Sequence, residues 1–245
     1  VTTTTQALPE AAAADQPRKK TLRDHADWLW REWIKPLLVV GIVLGSFRSA
    51  IADWNDVPSG SMKPTILEGD RVFVNKIAYD LKIPFTTRRV TEWSNPQRGD
   101  VVVLYSPHDE KRLIKRVVGL PGDKIEMKNH RLIVNGVQAD YQPLDAAEFV
   151  GLDPDVSAYR EKAPEARVHT MLMSTSQSSK ASFEAVELPP GRYFVMGDNR
   201  DNSFDSRWFG TVDRTRILGR ATAVVLSFDF KKKRPRWDRF FTRLD

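Results

Sequence analysis

The chain has 245 residues, 41% of them hydrophobic and 10% aromatic, enough for a sizeable core and too apolar for a wholly disordered protein. It contains no cysteine, which excludes disulfides, thiol nucleophiles and Cys-based metal sites. The formal charge of +6 is uneven: Lys231, Lys232, Lys233, Arg234, Arg236, Arg239 and Arg243 crowd one end, interleaved with Trp237, Phe240 and Phe241. Cations mixed with interfacial aromatics suit a membrane phospholipid surface at least as well as a phosphate backbone, with a solvated basic tail as the equal alternative, and no nucleic acid is expected as a partner.

Residues 1–27 begin Thr-, Ala- and Pro-rich without apolar periodicity, and read as a disordered segment. An apolar run from Pro36 to Phe47 follows, flanked by Trp33 and Trp54. Extended to those tryptophans it makes about 33 Å of helix at ~1.5 Å per residue, a bilayer's thickness with an aromatic at each interface. Residues 28–54 are therefore expected to form a membrane anchor. Ala50-Ile51-Ala52 also offers the small-x-small pattern of a cleaved signal peptide. The preceding basic region is too long for that, and Arg48 interrupts the approach, so a retained anchor is the better reading. Arg18, Lys19, Lys20, Arg23, Arg31 and Lys35 precede the span, against Arg48 and Lys63 shortly after it. The positive-inside rule then puts the N-terminus in the cytoplasm and residues 55–245 outside.

Beyond the span the chain reads as mainly β. Short β-rich runs cover 71–75, 100–105, 112–118, 131–134, 192–196 and 222–227. Gly/Pro/Asn/Asp punctuation separates them, including Leu120-Pro-Gly-Asp123 and the hairpin signal Asn135-Gly136. Residues 141–189 have weak periodicity and read as an insertion into this β domain.

Three segments carry the chemistry. In Pro58-Ser-Gly-Ser-Met-Lys-Pro64 a serine sits on a stiff turn, and a hydroxyl of this kind attacks only when a base takes its proton. The nearest histidines in sequence, His25 and His108, are remote, so a lysine is the candidate base for Ser61. Lys115 shares one face of an extended segment with Leu113 and Val117, and burial among apolar groups lowers a lysine pKa. Moving it from ~10.4 to near 7 requires roughly 4–5 kcal/mol of preference for the neutral amine. The third segment runs from Gly197 to Arg207 and is rich in Asp, Asn and Arg. Asp205 beside Lys115 would hold the ammonium form, unless Arg207 neutralises it.

Together these segments resemble the type I signal peptidases, membrane-bound Ser/Lys serine proteases. The resemblance lies in the serine box 58–65, the lysine box 114–123 and the acidic box 197–207, in that order behind one anchor. It implies Ser61 as nucleophile, Lys115 as general base and Ser203 as the hydroxyl that orients the lysine. The Ser61 N–H and the Ser59 side chain would form the oxyanion hole, and Arg116 with Asp198 and Asp205 with Arg207 the supporting ion pairs. It implies a coiled antiparallel β-sheet catalytic domain on the outer side of the bacterial inner membrane, with no cofactor and no metal. The expected partners are signal peptides of exported preproteins, cut after small residues one and three positions before the bond. Val57, Met62 and Ile114 flank the reactive groups and would line shallow pockets. Two departures stand out: Asn55-Asp56 replaces a frequent aromatic, and Trp208-Phe-Gly210 replaces an aromatic followed by Trp-Gly. Competing readings are a Ser/Lys autoprotease of the repressor type, an inactive membrane-tethered binding or scaffold protein, and a triad using His108 or His130.

Overall fold

A computed structural model describes residues 22–86, 88–145, 149, 155–174 and 180–244. The chain forms two compact units, dividing between Gly45 and Ser46. The described residues of the first are helical. Leu22–Leu29 leads through a π-helical turn, Trp30–Ile34, into the helix Lys35–Ala50. His25–Ala50, 26 residues, is long and apolar enough to cross a membrane. Two boundaries differ from expectation. Residues 22–27, assigned to a disordered segment, are helical, because Leu22, Ala26 and Leu29 recur at helical spacing. Residues 1–21 of that segment lie outside the described residues.

The second difference is at Trp54, which lies in a strand, Ala52–Asp56, and not in the span. The helix stops at Ala50 because its last carbonyls find other partners. Lys76 Nζ donates to the carbonyls of Arg48 and Ser49, both at 3.1 Å. A cation at a helix C-terminus is favourable, and Asp53, held by Arg48 and Lys76, fixes the cation in turn.

The second unit is built around one large antiparallel sheet. Its strands run in the order Ala52–Asp56, Asp70–Asn75, Ile217–Asp229, Val101–Tyr105, Arg112–Gly119, Arg192–Met196 and Val212–Asp213. Period-two patterning explains the outer members: Val72 and Val74 point inward while Arg71 and Phe73 are only half-buried. The inner strand Val101–Tyr105 is covered on both faces and is accordingly a run of valines and leucine. Repeated register shifts along Ile217–Asp229 curl the sheet, as bulges do. One apolar cluster joins Val57, Met62 and Ile66 to Val72, Val74, Val101, Val103 and Ala221, with Ile114 packed against it. Another, on Val102, Leu104, Val117, Tyr193 and Val195, takes in Leu113.

Beyond Gly119 the chain builds a second, four-stranded sheet from Phe183–Glu187, Lys124–Lys128, Arg131–Val134 and Val137–Gln138. Its tight turn falls at Asn135-Gly136, with φ of 54° and 79°, the backbone a two-residue hairpin demands. The stretch with weak periodicity is also β: Asp140–Leu144, Val156–Lys162 and His169–Ser174 form a three-stranded sheet. Its pattern was obscured because His169–Ser174 is buried along almost its whole length and so does not alternate.

Gly119 sits where the two sheets meet. A Cβ there would lie 2.6 Å from Leu188 Cδ1, 2.8 Å from Ile125 Cγ1 and 2.9 Å from Phe194 Cβ. Gly119→Ala should overpack this junction and cost about 1–3 kcal/mol. Urea unfolding should show a lower midpoint at unchanged slope.

Candidate active site

The serine turn is the connection between the strands Ala52–Asp56 and Asp70–Asn75. Its neck is closed by Val57 N to Asp70 O at 2.9 Å and Gly69 N to Val57 O at 3.0 Å. Within it Met62 and Ile66 are buried and anchor the turn to the core. At Gly60 a Cβ would lie 2.7 Å from Glu68 Oε1 and 3.1 Å from Lys63 Cε, the ends of two flexible side chains that fold over the turn. Those two side chains pair at 2.9 Å across it. The turn thus presents Ser61, itself buried, while Ser59 stays exposed.

Lys115 comes from the strand Arg112–Gly119, where it pairs with Val102 of the neighbouring strand. Its amine lies 2.7 Å from Ser61 Oγ and donates to the Ile114 carbonyl at 3.0 Å. Only 2% of Lys115 is exposed. Burial lowers its pKa from 10.5 to about 8; Asp205 and Asp198 pull it back up, and Arg207 pushes it down. Arg207 therefore does to this amine what the sequence required of it.

The acidic segment supplies the surroundings. Arg116 grips Asp198 with Nε to Oδ1 and Nη2 to Oδ2, both 2.8 Å. Arg207 grips Asp205 in the same forked way, with both bonds at 2.9 Å. Burial disfavours both carboxylates' charge, but their arginines more than compensate, and both pKa values fall. Asp205 also accepts from Gly197 N at 3.0 Å, and Asp198 from Thr65 Oγ1 at 2.5 Å, tying the serine turn to the arginine pair. Asn199 completes the join: its N donates to Ser61 O at 3.0 Å and its Nδ2 to Gly60 O at 3.1 Å. Gly197 has no room for a side chain; a Cβ would fall 2.3 Å from Ser203 Oγ and 2.4 Å from Ser61 O.

The structure thus brings together Ser61, Lys115, Arg116, Asp198, Asp205 and Arg207. Ser203 is brought close as well, buried against Gly197, but Lys115 is bonded to Ser61 and Ile114 and not to it. Val57 and Met62 are buried in the cluster beneath the turn, and Ile114 is half-buried beside it. His108 packs edge-on against Phe204, and His130 faces Asp201 at 3.9 Å; neither is bonded to Ser61. Sequence reasoning missed three buried groups around Asp198. Glu161 pairs with Arg200 at 2.7 and 2.8 Å, and His169 lies between Glu161 and Asp198 at 3.6 and 3.8 Å. Burial lowers the His169 pKa to about 4, so it is neutral at pH 7. The signals were weak: Glu161 and His169 fall in the stretch without clear period, and Arg200 resembles a solvated loop charge.

A serine hydroxyl against a buried, partly deprotonated lysine, on a curled antiparallel sheet, belongs to the serine peptidases. Residues 30–226 match the family model described as signal peptidase, peptidase S26, and the chain belongs to that family. It is 39% identical over 209 residues to signal peptidase I of Pseudomonas aeruginosa, covering 79% of this chain and 70% of that protein. It is 30% identical over 203 residues to signal peptidase I of Bacillus licheniformis, covering 82% and 91% respectively.

Holding Lys115 in this environment costs stability wherever it is protonated. Between pH 8 and 10.5 the unfolded chain keeps a proton that the folded chain has lost, so stability from this group rises with pH across that window. Below pH 8 the full penalty applies, roughly 3 kcal/mol at ~1.4 kcal/mol per pKa unit. Lys115→Met, of similar length and uncharged, should raise stability near pH 7 by about 1–3 kcal/mol. Its advantage over the wild type should shrink as the pH of urea titrations rises above 8.

Proposed function

We propose that this protein is a serine endopeptidase that removes N-terminal signal peptides from exported preproteins, using Ser61 and Lys115 as a catalytic dyad. The observation that carries this reading is the 2.7 Å approach of a buried Lys115 amine to Ser61 Oγ. A base with a pKa of about 8 is substantially neutral at mildly alkaline pH and basic enough to take a serine proton. Neutral Lys115 accepts the proton as Ser61 Oγ attacks the scissile carbonyl. The ammonium then protonates the leaving amine, which departs with the mature chain. Water, deprotonated by the same amine, breaks the acyl-enzyme ester and releases the signal peptide.

The developing oxyanion is met by the Ser61 N–H, with Ser59 turning its hydroxyl inward when substrate covers the exposed turn. Ser203, in the shell around Gly197, steadies the lysine as it reorients between Ser61 and the leaving group. Arg116–Asp198 and Arg207–Asp205 hold the acidic segment in place and balance its charge. Val57, Met62 and Ile114 give the wall of the site an apolar, shallow character, matched to small substrate side chains one and three positions before the cut. The helix His25–Ala50 serves as a retained anchor in the bacterial inner membrane, with the N-terminus in the cytoplasm and the β domain on the outer side. The basic residues before the span support that orientation. The basic, aromatic segment 231–243 rests on phospholipid.

Purified protein incubated with a preprotein should release a mature chain, while Ser61→Ala and Lys115→Ala should lower kcat by a factor of at least about 10³. Cleavage surviving both substitutions contradicts the dyad. In the wild type, kcat/KM should rise about tenfold per pH unit below pH 8 and level off above it, because only the neutral amine is productive.

A further inference from the structure

The hairpin formed by Val156–Lys162 and His169–Ser174 has no part in the chemistry above, yet it carries some of the most deeply buried charge in the molecule. Glu161 is 0% exposed and Arg200 2%. From this pair Arg200 Nε turns to the Gly197 carbonyl at 3.2 Å, and the Arg200 carbonyl accepts from Arg207 Nη2. The hairpin backbone grips the same segment. Leu172 N donates to Asp198 O at 2.8 Å, Leu172 forms a parallel bridge with Asn199, and Ser174 N donates to Asp201 Oδ2 at 2.8 Å. The gripped segment in turn holds the serine turn, through Asn199 to the carbonyls of Ser61 and Gly60.

A buried ion pair is a poor source of net stability, because desolvation offsets most of its attraction and an apolar pair of equal volume serves as well. What a forked arginine–carboxylate pair does supply is a fixed distance and orientation. Here that geometry is applied to the segment that holds the serine turn through Asn199.

We propose that Glu161 is a positioning residue for the Ser61–Lys115 pair: by fixing Arg200 it holds residues 197–202 on the Ser61 carbonyl and so keeps Ser61 Oγ within reach of the amine. This rests on the dyad reading of the same site. The hairpin is then a clamp on the active site, and the stretch that interrupts the β domain acquires a task.

Steady-state cleavage and amide hydrogen exchange of the full chain in detergent micelles test it. Glu161→Gln should lower kcat tenfold or more with KM changed less than threefold. The Asn199 amide, bonded to Ser61 O, should exchange at least tenfold faster, while the Val117 amide in the central sheet keeps its protection. The double variant Glu161→Leu/Arg200→Met should regain the wild-type melting temperature and remain slow. Wild-type kcat with unchanged Asn199 exchange overturns the proposal. So does equal loss of protection at Asn199 and Val117, or a double variant that regains both stability and rate, since those mark a purely structural pair. If the wild type itself cut no substrate, the dyad reading would fail while the Asn199 exchange still decided the clamp.

Discussion

One lysine amine is buried against one serine hydroxyl, and the charges, glycines and strand order around them answer to that contact. Lys115 in water would be an ammonium with nothing to offer Ser61. Taken 98% out of solvent, with its amine 2.7 Å from Ser61 Oγ, its pKa falls to about 8. Every nearby charge has to be arranged so that this shift survives. Asp205 and Asp198 each favour the ammonium, and each is gripped by its own arginine at hydrogen-bond distance. Four buried ionised side chains around a neutral amine would be costly without that pairing; with it, the site's charges nearly cancel locally.

The fold follows from the same demand. Ser61 and Lys115 are 54 residues apart, and Asp198 of the acidic segment lies 82 residues beyond Arg116, the neighbour of Lys115. The curled sheet is what brings them together. It places the serine turn at the end of one strand pair, the lysine on an inner strand and the acidic segment immediately after Arg192–Met196, the next strand along. Gly197 admits the close approach that this requires, where a Cβ would fall 2.4 Å from the Ser61 carbonyl. The apolar clusters beneath the turn and the lysine strand make the arrangement rigid, and the two forked ion pairs make it specific.

Much of this was legible in the sequence. Pro58-Ser-Gly-Ser61 announced a stiff turn, Lys115 among Leu113 and Val117 announced a buried amine, and Asp205 with Arg207 announced a compensated charge. These are local signals: each depends on neighbours within a few residues. What escaped was non-local. Glu161 and His169 look like ordinary polar residues in a weakly patterned stretch, and only the three-dimensional pairing with Arg200 and Asp198 gives them meaning. The helix boundary near Ala50 escaped for the same reason, because the cation that caps it, Lys76, is 26 residues further along. Ser203 shows a finer limit: its sequence position led to the site, but not to a bond with the lysine.

The most direct measurement is the titration of Lys115 itself, followed by NMR of selectively labelled lysine ε-methylene groups in the Ser61→Ala variant, which removes turnover and leaves the surrounding charges in place. One lysine signal should titrate near pH 8 and move upward when Arg207 is replaced by methionine so that Asp205 is left unpaired. A Lys115 that titrates at or above 10.5, and does not respond to Arg207, would mean that burial does not make this amine a base for Ser61.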